Sequence, residues 1–172
     1  MNKLYRLFRY DWPLHFVLLF TNWLPDNVVI MRIRGKLISP FFKSCGKNLR
    51  VARNNIFYNS YNLSFGNNVY IACDNWFSGS TDIMVEDEVM FGPKSIIISG
   101  NHNKKKGSFR YGVDTCKPIK IGFGSWIGGN CTITSGVIIG KGSLIGANTV
   151  VTKNVPDNVL FAGNPGIIIK EV

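Results

Sequence analysis

The chain contains two histidines, and one of them stands where acid–base chemistry is feasible. His102 lies near the start of a polar stretch, residues 99–118, that directly follows an aliphatic run ending at Ile98. A neutral imidazole in such a loop can take a proton from a hydroxyl group, which makes His102 the best candidate for a general base. The alternative is a solvated loop histidine without a catalytic role. His15 stands among apolar residues, which indicates a structural role.

The sequence supplies little material for metal or covalent chemistry. Two histidines so far apart in the chain do not make a three-His zinc site, so no metal site is predicted. We also expect neither a disulfide framework nor a covalent enzyme intermediate, and the lack of a disulfide pattern favours a reducing compartment. None of the four cysteines forms a CxxC pair or stands beside a candidate base: Cys45, Cys73, Cys116 and Cys131.

The polar stretch interrupts a repeat of six residues. Gly or Thr follows each aliphatic position of the repeat, and a compact residue stands four places on. A period of six fits neither an α-helix nor a plain strand pair. It is typical of a parallel β-helix, in which three six-residue faces close one coil of a triangular prism. The regular aliphatic positions are Ile121, Ile127, Ile133, Ile139, Ile145 and Val151.

The same register is present, less regularly, before the polar stretch. Roughly five coils are predicted between Cys45 and Val151, a stack of about 24 Å at about 4.8 Å per coil. Residues 99–118 should leave the prism as a loop, and residues 156–172 should form a C-terminal tail. Long loops inside compact domains usually serve function. The earlier positions are Phe65, Ile71, Phe77, Val85, Phe91 and Ile97, with Cys45–Gly46 and Val51–Ala52 as the expected start.

Residues 1–44 are expected to form a helical extension of different composition. Residues 1–53 hold ten Lys or Arg against two Asp, a net charge of +8, whereas the whole chain carries +10. Aromatic and aliphatic residues are mixed with these cations, which is typical of helices at a membrane surface. The apolar run from Phe16 to Phe20 is too short to span a bilayer, and no cleavage site follows it. The other interpretation is a set of helices that pack on the prism with solvated charges.

Two segments carry specific motifs: GPKSIIISGNH, with His102 nine residues after Pro93, and IGFGSWIGGNCTITSGVIIGKGSLIGANTVVTKNVPDNVLFAGNP. With them the sequence resembles the hexapeptide-repeat acyltransferases over about residues 48–170. The resemblance is closest to maltose/galactoside-type and capsule or O-antigen O-acetyltransferases. It implies an all-β fold, a left-handed parallel β-helix, with acetyl-CoA as the acyl donor and no metal. It also implies a homotrimer in which two chains build each site.

The resemblance assigns roles to individual residues. His102 is the general base, and the backbone N–H of Gly129 stabilises the oxyanion of the thioester carbonyl. Trp126 borders the acceptor pocket. Lys153 is expected near the phosphates of coenzyme A. The residues implied in binding coenzyme A are Gly129, Ala147, Thr152, Lys153, Asn164 and Pro165.

The sequence departs from the family pattern at the acceptor. Where maltose/galactoside-type enzymes carry an acceptor-binding Asn before the catalytic His, this chain has Ala72, with Asp74 close by. The acceptor is therefore not expected to be a simple galactoside. Asp74 is a candidate acceptor ligand or a group that orients His102.

The expected function is acetyl-CoA-dependent O-acetylation of a sugar hydroxyl in a surface polysaccharide precursor. Two alternatives stay open: N-acetylation of an amino sugar nucleotide, and a β-helix scaffold without catalysis. The expected location is the cytoplasm, with residues 1–44 as a candidate contact with the inner face of the plasma membrane. Nucleic acid is not an expected partner, because no recognised module or domain-wide basic stripe is present.

Overall fold

The computed structural model describes residues 2–172 and consists mainly of short parallel strands that coil around one axis. A π-helical turn joins the first two helices, and a 3₁₀ turn at Ser39–Phe41 follows the third. The helices are α1 (Lys3–Arg6), α2 (Trp12–Thr21) and α3 (Val28–Ile38).

Five complete coils of three strands follow the helices. The first coil holds β1 (Ser44–Cys45), β2 (Arg50–Val51) and β3 (Ile56–Tyr58). The second holds β4 (Leu63–Phe65), β5 (Tyr70–Ile71) and β6 (Trp76–Ser78), and the third β7 (Ile83–Val85), β8 (Met90–Phe91) and β9 (Ile96–Ile98). A side arm of β10 (Gly100–Asn101) and β11 (Thr115–Cys116) comes next. The fourth coil holds β12 (Ile119–Ile121), β13 (Trp126–Ile127) and β14 (Thr132–Ile133), and the fifth β15 (Ile138–Ile139), β16 (Leu144–Ile145) and β17 (Val150–Val151). The chain ends with β18 (Val159–Gly163) and β19 (Gly166–Glu171).

Equivalent strands of successive coils pair in parallel and form the three faces of a prism. Face A contains the first strand of each coil, face B the second and face C the third. Inward residues lie in register, as Ile127 does with Phe91 on one side and Ile145 on the other. The parallel β-helix and the register predicted from the repeat are confirmed. The strand β18 continues face B and begins a sixth coil.

The early coils are longer than a strict repeat of six predicts. Phe57 and Phe65 are eight positions apart, whereas Ile133 and Ile139 are six positions apart. The two additional residues lie at the corner that joins face C to face A, where Ser60–Asn62 form a 3₁₀ turn. This corner therefore tolerates insertions, and the arm leaves the prism at the same corner two coils later.

The core is a single column of side chains. Aromatic rings fill the early coils: the ring centroids of Phe57 and Phe77 lie 5.4 Å apart, and those of Phe77 and Phe91 lie 5.1 Å apart. Isoleucine and valine fill the later coils. The corners are tight, because a β-carbon added to Gly128 would lie 2.7 Å from the backbone nitrogen of Ala147.

The compact residues of the repeat form a hydrogen-bonded ladder between coils. At the corner that joins face B to face C, the Asn75 N–H donates to Oδ1 of Asn55 at 3.0 Å. The Ser95 N–H donates to Oδ1 of Asn75 at 2.8 Å, and the Cys131 N–H donates to Oγ of Ser95 at 3.1 Å. These buried side chains therefore accept hydrogen bonds from backbone N–H groups that would otherwise lack partners. Their small size also leaves room for the core residues.

The helices cover the open end of the first coil. The guanidinium of buried Arg34 donates to the Val51 carbonyl at 2.7 Å, to Oδ1 of Asp26 at 2.9 Å and to the Thr21 carbonyl at 2.9 Å. Asp26 also accepts from the backbone N–H of Arg53 at 3.0 Å. No earlier coil pairs with these backbone groups of the first coil. The two side chains thus replace a missing strand at the edge.

The helical segment gives way to the first strand just before residue 45. The last helical turn ends at Phe41 and β1 begins at Ser44, so the division between residues 44 and 45 falls inside the first strand. Within residues 156–172, β18 pairs in parallel with β16, and β19 folds back antiparallel to β18. Val159 and Phe161 of this segment are buried in the core.

Candidate active site

The arm places His102 opposite Asp114. The strands β10 and β11 are antiparallel, with Asn101 opposite Thr115, so the next pair along the arm is His102 and Asp114. Nδ1 of His102 lies 2.7 Å from Oδ1 of Asp114. Because an ionised carboxylate only accepts hydrogen bonds, Nδ1 donates and Nε2 keeps a free lone pair. An imidazole held in this tautomer is suited to accept a proton from a hydroxyl group.

The pair of His102 and Asp114 is exposed to solvent. The side chains of His102 and Asp114 are 75% and 53% exposed. The base of the arm is fixed, because Oγ of Ser99 donates to the Thr81 carbonyl at 2.9 Å and Oγ of Ser135 donates to the Ser99 carbonyl at 2.8 Å. The imidazole is thus oriented by its own chain, but that chain does not enclose it.

Asp114 is absent from the residues that the sequence singles out. Asp74, one candidate for orienting His102, lies on a different corner of the prism, and within one chain it is Asp114 that contacts the imidazole. The φ of Asp74 is 63°, a left-handed conformation that Asp and Asn tolerate, which gives this residue a structural reason to be acidic. Its role as an acceptor ligand stays a prediction.

We predict that Asp114→Asn lowers kcat by about 10- to 100-fold, which is less than the loss of the base itself would cost. The Asn amide can donate to Nδ1 and thereby favours the tautomer whose Nε2 carries the proton and cannot accept another. Steady-state kinetics should show the loss in kcat, with the KM for acetyl-CoA unchanged. Asp114→Glu should recover part of the activity, and equal activity of the wild type and Asp114→Asn would remove Asp114 from the site.

The predicted site residues divide between two edges of the prism. The B–C edge is the line of corners that join face B to face C, and it carries Asp74, Gly129 and Ala147. The C–A edge is the line of corners that join face C to face A, and it carries the arm with His102, together with Thr152 and Lys153. Face C separates the two edges, so one chain does not bring all of these residues together.

The backbone N–H of Gly129 has no acceptor among residues 2–172. Both neighbouring amides are paired: the Gly128 N–H donates to the Ile145 carbonyl and the Asn130 N–H donates to the Pro93 carbonyl, each at 2.8 Å. An unpaired N–H at a half-buried glycine is suited to stabilise a developing oxyanion.

Ala147 repeats this arrangement one coil further on. Its backbone N–H also lacks an acceptor within the described residues, and its small side chain is exposed. An extended ligand that carries amide groups, as pantetheine does, can therefore approach the backbone along the B–C edge.

Trp126 belongs to an apolar row on the outside of face B. It pairs with Met90, which pairs with Tyr70, and all three side chains point away from the core. The indole is 49% exposed and lies three residues before Gly129. The row thus provides a wall beside the unpaired N–H of Gly129. Of its three residues, only Trp126 was identified from the sequence.

Asn164 and Pro165 form the turn between β18 and β19. The N–H of neighbouring Gly163 donates to Oγ1 of Thr149 at 3.2 Å, which holds this turn against the B–C edge. The turn therefore continues the line of Gly129 and Ala147. Across face C, Lys153 is exposed and forms no ion pair with any residue in the range 2–172.

Three of the four cysteine thiols are poor nucleophiles at neutral pH. Burial raises the pKa of Cys45 to about 11, and burial also raises the pKa values of Cys73 and Cys131. Their reactive thiolate forms are correspondingly rare. Among the described residues, no group of three or more His, Cys, Asp or Glu side chains is arranged to hold a metal ion.

His15 of the N-terminal helices does not pack as the sequence predicts. This histidine is exposed rather than packed, and it lines a groove of about 590 Å³ between α2 and the first coil. No helix within residues 2–172 combines the length and apolar character that crossing a membrane requires.

The chain is similar in sequence to a known family and to several acetyltransferases. Residues 118–153 match the family described as bacterial transferase hexapeptide (six repeats). The chain is 32% identical over 143 residues to galactoside O-acetyltransferase of Escherichia coli K12, covering 81% of this chain and 68% of the relative. It is 28% identical over 149 residues to WcaF of the same strain, provisionally named a colanic acid biosynthesis acetyltransferase, covering 87% of this chain and 79% of WcaF. A protein of Dictyostelium discoideum that is provisionally named an acetyltransferase is 40% identical over 112 residues, covering 65% of this chain but only 59% of the relative.

Solved structures share the architecture over nearly the whole chain. A galactoside acetyltransferase in complex with coenzyme A superposes with a TM-score of 0.84 at 28% identity, covering 99% of this chain and 84% of that one. A maltose O-acetyltransferase from Clostridium difficile 630 gives a TM-score of 0.81 at 28% identity, covering 99% and 89%. The N-terminal helices therefore lie within the shared architecture.

Proposed function

Because this chain belongs to the hexapeptide-repeat acetyltransferases, we propose that it transfers the acetyl group of acetyl-CoA to a sugar hydroxyl of a surface polysaccharide precursor. The observation that carries the proposal is the His102–Asp114 pair, which leaves Nε2 free to accept a hydroxyl proton. Similarity to a colanic acid biosynthesis acetyltransferase supports a polysaccharide precursor. Ala72 stands in place of the acceptor-binding Asn of the maltose/galactoside type, which supports an acceptor other than a simple galactoside.

The proposed transfer is direct. Nε2 of His102 takes the proton of the acceptor hydroxyl while the oxygen forms a bond to the thioester carbonyl carbon. The N–H of Gly129 donates to the resulting oxyanion. Collapse of this intermediate breaks the carbon–sulfur bond, and the coenzyme A thiolate takes up the proton from the imidazolium. The raised thiol pKa values of Cys45 and Cys131 are consistent with a route that uses no cysteine nucleophile.

We infer that two chains complete each site. His102 and Gly129 lie on opposite edges of face C. In a trimer whose three C faces turn towards the symmetry axis, the C–A edge of one chain meets the B–C edge of the next. Such an arrangement would bring His102 of one chain to Gly129 of its neighbour and would cover the exposed imidazole.

The outward row of face C supports this arrangement. Ile56, Trp76 and Ile96 lie side by side across three coils, with 51%, 48% and 37% of their surfaces exposed. A continuous apolar row of this kind is typical of a surface that another chain covers. It lies between the two edges that the proposed trimer joins.

The same arrangement places Lys153 beside coenzyme A that lies along the neighbour's B–C edge. We predict that Lys153→Ala weakens coenzyme A binding by about tenfold or more, because a charge-assisted contact with a phosphate is lost. Isothermal titration calorimetry measures the change. Lys47→Ala, an exposed lysine of the first coil, is the matched control and should bind coenzyme A as the wild type does. Equal affinity in both variants would show that Lys153 is only solvated.

Purified protein tests the proposed reaction directly. Acetyl-CoA labelled in the acetyl group is incubated with glycan fractions from cells that lack the gene, and release of free thiol is followed. The proposal predicts label in the glycan that mild base removes, since esters are cleaved and amides are not. Label that resists base would indicate N-acetylation of an amino sugar. No thiol release with any fraction would favour a scaffold without catalysis.

A further inference from the structure

The N-terminal helical segment turns an apolar side outward. Six large residues recur at spacings of three or four positions, which places them on one side of the segment. Their exposed fractions run from 48% to 77%. Leu14 and Thr21 are buried on the other side, where Val17 and Leu18 also pack against the core. The outer stripe consists of Tyr5, Phe8, Trp12, Phe16, Leu19 and Trp23.

The next helix repeats this arrangement with cations added. On the outer side of α3, Val29, Ile33 and Leu37 are exposed. Arg32 and Lys36 are exposed between them. The opposite side of α3 is buried against the first coil and carries Arg34 and Ile38. Both helices therefore keep their attachment to the prism on one side and present apolar surface on the other.

We propose that the outer stripe and the outer side of α3 dock on an anionic phospholipid bilayer. Tyr and Trp rings are suited to the boundary between headgroups and acyl chains. Residues 1–41 hold six Lys or Arg against Asp11 and Asp26, and this net charge of +4 attracts an anionic surface. The same charge opposes pairing of this face with its counterpart in a second copy of the chain, which argues against self-association here.

The docking surface lies at one end of the prism, because Arg34 and Asp26 join the helices to the open end of the first coil. The arm with His102 leaves after the third coil, about 10 Å further along the axis at the spacing of stacked coils. In the proposed trimer, three such surfaces would face the same side and bind one bilayer together. This part rests on the proposed function: a glycan acceptor on a membrane lipid would then meet His102 close to the membrane.

Co-sedimentation with vesicles tests the docking surface on the full chain. Wild-type protein should bind vesicles of phosphatidylcholine with phosphatidylglycerol, bind phosphatidylcholine alone weakly, and be released in part by added NaCl. The triple variant Trp12→Ser, Phe16→Ser and Trp23→Ser should lose binding. The three substituted side chains are exposed, so circular dichroism and light scattering should show an unchanged fold and assembly.

Two double charge variants distinguish binding through this surface from a general effect of the net charge. Arg32→Glu with Lys36→Glu should weaken partition about 30-fold or more. Lys104→Glu with Lys105→Glu changes the net charge equally, at the exposed tip of the arm, and should leave partition nearly unchanged. Equal loss of vesicle binding in both variants would show that the overall charge drives binding, and would overturn the proposed docking surface.

Tryptophan fluorescence gives a second readout. The chain has four tryptophans, so Trp76→Phe with Trp126→Phe leaves Trp12 and Trp23 as the only indoles. Their emission should shift to the blue and be quenched by brominated lipid. Absence of vesicle binding by the wild type, or binding unaffected by the triple variant, would overturn the proposal. Vesicle binding together with no acetyl transfer to any acceptor would uphold the docking surface and overturn the proposed function instead.

Discussion

His102→Ala is expected to lower kcat by about 10²- to 10⁴-fold, the usual contribution of a general base. The variant removes the only imidazole that the fold pairs with a carboxylate in the described part of the chain. The affinity for acetyl-CoA should stay nearly unchanged, because the proposed coenzyme A contacts come from the B–C edge and from Thr152 and Lys153. Thiol release from acetyl-CoA measures kcat, and calorimetry measures the affinity.

His15→Ala is the matched control for this experiment. It removes the other histidine, which lies in the N-terminal helices rather than on the arm. Turnover of this variant should equal that of the wild type with a soluble acceptor. Near-normal turnover of His102→Ala would exclude His102 from the mechanism, whatever the acceptor proves to be.

Arg34→Met is expected to destabilise the protein by about 3–5 kcal/mol, the usual cost of removing one partner from a buried ion pair. The guanidinium is 0% exposed and bonds Asp26, the Val51 carbonyl and the Thr21 carbonyl. Methionine keeps the apolar volume of the stem but leaves these acceptors without a donor. At this chain length the loss corresponds to a fall in Tm of about 6–20 °C, which thermal unfolding followed by circular dichroism can measure.

Arg32→Met provides the comparison, because Arg32 lies on the same helix and is exposed. A change within about 0.5 kcal/mol is expected for such a surface position. The double variant Arg34→Met with Asp26→Asn should be less destabilised than the sum of the single variants, since the two side chains form one network. Equal Tm values for Arg34→Met and Arg32→Met would show that the contacts of Arg34 with Asp26 and the first coil contribute little to stability.

The architecture of the coils could be predicted because it is local and periodic. Ile127, Ile145 and Val151 point inwards at the positions that the repeat indicates. The longer corners could not be predicted, because insertions at the C–A edge shift the sequence period and leave the inward register of face A intact. The roles of Asp26 and Arg34 could not be predicted either, because these side chains bond backbone groups of Val51 and Arg53, far along the chain.

Most of the candidate site residues stand in a motif of the sequence, and the resemblance already implies a site shared by two chains. His102 and Gly129 stand out from their motifs, yet only the topology shows that face C separates them. Asp114 had one usable signal, because a hairpin pairing Asn101 with Thr115 also brings His102 to the residue before Thr115. That signal appears only once residues 99–118 are recognised as an antiparallel arm rather than an irregular loop.

Base-labile acetyl groups on cell-surface glycans provide the most direct test of the central claim. Mass spectrometry should compare glycans from cells with the gene, without it, and complemented with the wild type or with His102→Ala. We predict that one acetyl ester per modified sugar disappears with the gene, returns with the wild type and does not return with His102→Ala. Identical glycan acetylation in all four strains would contradict acetyl transfer to a surface polysaccharide precursor.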